Sequence, residues 1–281
     1  MTVSLEQPPV QETLYEPPQG WEALNLHEIW RYRELLFFLT WRDIKVRYAQ
    51  AALGVSWAII QPLLTMVIFS VIFGRLAKLP SEGIPYPVYS YVALLPWQLF
   101  AGALQRAGTS LVGNSNLLTK VYFPRLVIPF SAVGAGLVDF AIAFFVLLGL
   151  MAWYQVPLTW TVLYLPLFIL LALLTAIAVG LWLSALNVQY RDVTHAIPFI
   201  IQAWMYASPV AYSAEIVPQG IWRIVYGLNP LAGVIQGFRW ALLGVGELDS
   251  LMIVSIIMVI LLLVSGLYYF KRMERTFADV V

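Results

Sequence analysis

Six apolar runs constrain this chain more than anything else in it. A helix needs about 20 apolar residues to cross about 30 Å of hydrocarbon. Residues 53–73, 158–186 and 251–270 supply that length without a single charge. Residues 88–112 carry Arg106 near their end, and 126–154 are interrupted only by Asp139. Residues 196–212 form a shorter run. Only 11% of the chain is charged, where a soluble domain has about 25%. Within lipid every backbone N–H and C=O must find its partner inside the segment, which a helix provides. The expected fold is therefore an all-α integral membrane protein with six transmembrane helices.

The segment 213–250 is apolar but broken by Pro218, Gly220, Gly227, Pro230 and Gly244. Neither half is long enough to cross alone. It reads as two short re-entrant helices at the outer face, near 221–228 and 231–243, where protein or water must cover the irregular backbone. Ser208-Pro209 is expected to end the fifth span. The first 20 residues lack a signal-peptide pattern. Their Glu6, Pro8, Pro9, Glu12, Glu16, Pro17 and Pro18 predict a disordered cytosolic tail. Residues 21–50 form the next unit, and 51–281 the transmembrane domain. Asn25 with Glu28 resembles a capping box. Leu26, Ile29, Trp30, Leu36, Phe37 and Trp41 follow at near-helical spacing, which predicts an amphipathic helix in the inner interface.

Orientation follows from the 16 Lys and Arg residues. With both termini cytosolic, Arg31, Arg33, Arg42, Lys45, Arg47, Arg106, Lys120, Arg125, Arg191, Lys271, Arg272 and Arg275 fall inside. Arg75, Lys78, Arg223 and Arg239 fall outside. Trp153, Trp160, Trp222 and Trp240 then sit near the outer interface, where amphipathic rings belong.

Several chemistries are excluded. The chain has no cysteine, hence no disulfide or thiolate-bound metal. Its two histidines, His27 and His195, are far apart, so no metal site is expected. There is no Gly-Lys dipeptide and hence no phosphate loop of the G-x-x-x-x-G-K-[ST] kind. If ATP drives this protein, the nucleotide is bound by another polypeptide. No catalytic residues and no cofactor are expected here. A net charge of +1 gives no reason to expect nucleic acid.

The loop Asn114-Ser-Asn-Leu-Leu-Thr-Lys-Val-Tyr-Phe-Pro-Arg125 carries five sizeable apolar side chains among the seven residues 117–123. Water should not be left to solvate such a run, so a soluble partner is expected to cover it, or else the membrane headgroups. Asp139 is the one carboxylate deep in a span and is a functional hypothesis by default. It is expected to pair with Arg106 or neighbouring helices, or to relay a proton. The cations Arg42, Lys45 and Arg47 are suited to lipid phosphates, or to ordinary anchoring at the inner face.

Leu39-Thr-Trp-Arg-Asp-Ile-Lys-Val-Arg-Tyr48, Leu53-Gly54, Trp57 and Gln61-Pro-Leu63 resemble the start of the type-2 ABC exporter permeases of bacterial polysaccharides. So do Leu118-Thr-Lys-Val-Tyr-Phe-Pro-Arg125, Asn187-Val-Gln-Tyr-Arg-Asp-Val193 and Trp204-Met-Tyr-Ala-Ser-Pro-Val210. Leu228-Asn-Pro230 and Glu274-Arg-Thr-Phe-Ala-Asp279 complete the resemblance, which runs from about Trp21 to the end.

That resemblance implies export of O-antigen, capsular polysaccharide or teichoic-acid polymers on lipid carriers across the bacterial inner membrane. It implies a homodimer with two ABC ATPase subunits, which hold ATP and Mg. It assigns Leu117, Leu118, Lys120, Val121, Tyr122, Phe123 and Arg125 to ATPase coupling. Arg191 and Asp192, on the short inner loop before the fifth span, are expected to form a local ion pair or a second contact to the ATPase. Arg42, Lys45, Arg47 and Tyr48 become the place where substrate is admitted. Trp57, Trp97, Phe100, Trp204, Met205, Tyr206 and Tyr212 become channel lining, because sugar faces stack on aromatic rings as bases do. Rival readings are a type-2 ABC exporter of a small molecule or drug, a proton-coupled secondary transporter that would depend on Asp139, and a membrane glycosyltransferase.

Overall fold

A computed structural model describes residues 26–49, 56–218, 220–274 and 277. The described residues form helices joined by turns and irregular loops, with no strand among them. The tail at 1–20, the Asn25 cap, the side chains of 26–28 and the joint at 50–55 lie outside the described residues.

Two helices precede the first long one: α1 (Leu26–Arg31) and α2 (Arg33–Ala49). Then follow α3 (Ser56–Phe69), which runs on as a π-helical turn over Ser70–Leu76, and α4 (Tyr86–Gly113). The short α5 (Ser115–Lys120) leads to α6 (Val127–Gly134) and α7 (Gly136–Trp153). Next come α8 (Leu165–Gln189), α9 (Val193–Ala207), α10 (Ile221–Gly227), α11 (Pro230–Leu243) and α12 (Ser250–Met273).

Local chemistry sets these boundaries. The Asn229 side chain accepts from the N–H of Leu231 at the start of α11, and Asp249 does the same for Leu251 at the start of α12. Pro87, Pro166 and Pro230 occupy first-turn positions where no amide donor is needed. Ser208 is extended because it precedes Pro209, and α9 stops at Ala207 as a result. Gly244 ends α11 at φ +69°, a conformation that costs an L side chain energy.

Among the described residues, four helical stretches are long and apolar enough to cross a membrane: Ser56–Leu76, Val127–Trp153, Trp160–Gln189 and Ser250–Met273. α4, with 28 residues, is about 42 Å long but more polar, and neighbouring helices bury most of it. The 15 residues of α9 reach only about 22 Å.

α4 is the hub, packed by α3, α6, α7, α8, α9 and α11. Small residues allow the closest approaches. A Cβ on Gly180 would sit 2.7 Å from that of Ala107, and one on Gly108 would meet Ile197 at 2.6 Å. Asn187 donates to the Gly108 carbonyl at 3.0 Å and accepts from Thr194 at 2.8 Å, which ties α4, α8 and the start of α9 together.

The apolar residues of α1 and α2 do not form one stripe. Ile29, Tyr32, Leu35, Leu36 and Leu39 pack inward on the core around Leu111, Leu126 and Phe270. Trp30, Phe37, Phe38 and Trp41 point away from the protein. The α1–α2 segment therefore presents two apolar faces, one for the chain and one that lipid would cover. Spacing alone could not separate residues seated against α6 from those on the far side.

Candidate functional site

The end of α2, α3, α4, α7 and α9 enclose a cavity of about 560 Å³. Trp57, Gln61, Trp97, Gln98 and Met205 line it, with Arg47, Tyr48, Arg106 and Asp139. Asp139 accepts from two donors and faces a second cation. Arg47 pairs with Oδ2 and Tyr48 donates to Oδ1. Nη1 of Arg106 lies 3.7 Å from Oδ2.

Arg106 is mostly buried, and a cation there costs several kcal/mol unless it is compensated. Its Nε donates to the Ala132 carbonyl at 3.0 Å. Gly136 makes room for it, since a Cβ there would overlap Nη2. Burial, with the Asp139 contact second, pushes the Tyr48 phenol up to about 12, so it remains a donor at physiological pH.

The cationic segment divides into separate roles. Arg42 donates to Asp43 and to Asn114 Oδ1, the latter at 2.9 Å. Lys45 lies over the Trp41 ring at 5.9 Å. Arg47 and Tyr48 alone reach the cavity. A shared lipid-phosphate role for all four does not match this arrangement, because α2 turns them to different neighbours.

The loop after α4 also divides. Val121 is 53% exposed and Tyr122 65%, and Lys120 is exposed beside them. Leu118 at 7% and Phe123 at 5% are buried in the chain's own core, and Leu117 packs partly against it. Burying such a side chain is worth about 1.5–3 kcal/mol, so Leu118 and Phe123 stay inside rather than fill a partner's groove. Arg125 also turns inward. It donates to the Glu274 carbonyl and lies 5.9 Å from the Phe277 ring centre. Within the loop, α5 covers Ser115–Lys120, and Val121 is extended after it. Asn114 starts α5, although its side chain bonds to Ser110 and Arg42 rather than capping. Arg191 and Asp192 are exposed, and no ion pair joins them among the described residues.

The residues expected to line a channel fall in four places. Trp57, Trp97 and Met205 line the cavity. Trp204, Tyr212, Trp222 and Tyr226 line a second groove of about 710 Å³ between α9 and α10. There Trp204 donates to Asn229 at 2.9 Å, and the Tyr212 and Tyr226 hydroxyls meet at 2.8 Å. Phe100 lies in neither. It is fully buried, 5.7 Å from Trp97 and 5.1 Å from Trp204, so it supports the lining without forming it. Tyr206 is exposed on α9 and touches neither space.

Sequence reading missed two structural arginines. Arg239, counted as an outer charge, is buried. It donates to the Tyr212 and Val210 carbonyls at 3.0 and 3.1 Å and lies 3.9 Å over the Tyr89 ring. Arg223 is buried against Asp249. The available signal was their position inside the short apolar helices α10 and α11 rather than beside them.

Long apolar helices around a polar-ended cavity define an integral membrane protein in class. The chain belongs to the ABC-2 type transporter family, whose profile matches residues 34–243. It is 30% identical over 261 residues to the O-antigen export system permease protein RfbA of Myxococcus xanthus, covering 91% of this chain and 98% of that protein. The protein of the same name from Klebsiella pneumoniae is 30% identical over 88% of this chain and 95% of its own length. The polysialic acid transport protein KpsM of Escherichia coli is 23% identical over 72% of this chain and 78% of its own.

Proposed function

We infer that this chain is the membrane permease of an ATP-driven exporter that carries a lipid-linked polysaccharide outward across the bacterial inner membrane. The observation that carries this reading is similarity over nearly the full length to O-antigen export permeases. The cavity is consistent with it. Polar groups stand at one end, aromatic rings and amides lie along the walls, and few charges would hold a neutral polymer back.

In this reading six helices cross the membrane, with α4 and α9 joining the four most apolar spans and both termini in the cytosol. Two copies assemble, and two ABC ATPase subunits bind ATP and Mg. Lys120, Val121 and Tyr122 meet the ATPase, with Arg191 and Asp192 exposed nearby in sequence to the cytosolic side. Leu118, Phe123 and Arg125 hold that surface in place. Chemistry is confined to the ATPase; this chain binds, positions and conducts.

Deletion of the gene followed by fractionation of lipid-linked glycan tests the reading. Loss of surface polysaccharide with lipid-linked polymer accumulating inside supports it. Intact surface glycan with no accumulation contradicts it and favours export of a small molecule.

A further inference from the structure

We propose that Asp139 is a displaceable internal anion, which holds Arg47 and Arg106 until a lipid-borne phosphate takes its place between them. The proposal rests on the export reading and adds to it a residue and an order of events.

Four observations meet here. Two guanidinium groups face one carboxylate, so the cluster keeps one positive charge after internal pairing. Arg106 Nη1 is 3.7 Å from Asp139, beyond hydrogen-bond length, and makes no hydrogen bond among the described residues. The fork is fixed by its Nε bond to Ala132 and seated in space left by Gly136 and Gly102, so its donors are aimed before any ligand arrives. Finally, Asp139 and Arg47 are each about one-third exposed toward a 560 Å³ cavity, where an incoming group can reach them.

A phosphate has more acceptor oxygens and at least as much charge as a carboxylate, and pairs with guanidinium through two parallel bonds. It can span Arg47 and Arg106 together, which Asp139 does not do at hydrogen-bond length. Displacing Asp139 also breaks the bond from Tyr48, whose hydroxyl follows the carboxylate. Gln61 and Gln98, on the same wall, offer amides to the first sugars. The contact restrains the cavity, because it joins the end of α2 to α7.

The test is a calorimetric titration of the permease–ATPase complex in neutral-lipid nanodiscs. The probe is farnesyl phosphate, with inorganic phosphate and phosphatidylglycerol as separate arms. Asp139→Asn should bind farnesyl phosphate about fivefold or more tightly than wild type, because the competing anion is gone. Asp139→Glu should stay within about twofold of wild type. Arg106→Gln and Gly136→Ala should each bind about tenfold more weakly. The proposal is overturned if Asp139→Asn leaves affinity unchanged or lowers it, as a purely structural carboxylate would.

If Asp139→Asn does not assemble, Tyr48→Phe loosens the same contact without changing charge. It should tighten binding about twofold, and unchanged or weaker binding overturns the proposal. Tightening for farnesyl phosphate but for neither other arm supports a carrier-lipid ligand. Equal tightening for inorganic phosphate or phosphatidylglycerol overturns the carrier-lipid assignment. No glycan enters this titration, so it can fail while export stands, and export can fail while the titration succeeds.

Discussion

Arg42 Nη2 donates to Asn114 Oδ1 at 2.9 Å, joining α2 to the residue from which α5 starts. The same helix reaches Ser131 through Thr40 and Asp139 through Arg47. One segment therefore touches both the start of α5 and the polar end of the cavity. If α5 meets the ATPase as proposed, a push on it has a direct path to that cavity.

Arg42→Ala should weaken that path while leaving the fold in place, since the contact is partly exposed and surface pairs are worth about 0–1 kcal/mol. ATPase co-purification should match wild type. Export per ATP hydrolysed should fall, by roughly threefold to tenfold for ~0.7–1.4 kcal/mol of lost coupling. Loss of co-purification would instead make Arg42 part of the docking surface.

Val121 and Leu118 separate surface from core. Val121→Asp should keep the melting temperature close to wild type and abolish ATPase co-purification. Leu118→Ala should cost about 2–5 kcal/mol and lower the melting temperature of the permease alone. Thermal melts of both variants without ATPase check this. Equal melting temperatures would show that Leu118 is not held in the core.

Much of the fold was legible because lipid forces apolar runs into helices. The apolar run at 126–154 became α6 and α7, and 251–270 became α12. The breakers at 213–250 marked α10 and α11. Side-chain direction was less legible. Arg42, Lys45 and Arg47 look alike in sequence, yet only Arg47 meets Asp139. Leu118 and Val121 are both apolar in one loop, and a single apolar run does not say which side faces in. Arg223 and Arg239 counted as outer charges because a charge tally carries no burial, and Asp249 and Tyr89 are distant in sequence.

Arg239→Ala should be strongly destabilising. It strands the Val210 and Tyr212 carbonyls, at about 1–3 kcal/mol for each buried group left unpaired. Arg239→Lys should not restore stability, because an ammonium lacks the planar fork that serves both carbonyls and the Tyr89 ring. Detergent melts should place both variants well below wild type, and a wild-type melt for Arg239→Lys would contradict this role.

Tyr48 carries a pH prediction. Its phenol is raised from 10 to about 12, by burial first and the Asp139 contact second. The folded state therefore holds this proton more tightly than the unfolded chain does. Any contribution to stability is complete below pH 10 and declines as pH rises toward about 12. Between about pH 6 and 9 the ratio of Tyr48→Phe to wild-type affinity for farnesyl phosphate should be constant. A ratio that collapses toward one by pH 9 would show that Tyr48 ionises in that range.

Export itself is tested most directly with the purified permease and its ATPase in sealed vesicles carrying lipid-linked glycan. Outward transfer is read by accessibility of the sugar to an external glycosidase. ATP-dependent exposure of the glycan, lost in a Val121→Asp complex, is the predicted result. Exposure that is absent with ATP, or that proceeds equally without it, would contradict the assignment of this chain to an ATP-driven polysaccharide exporter.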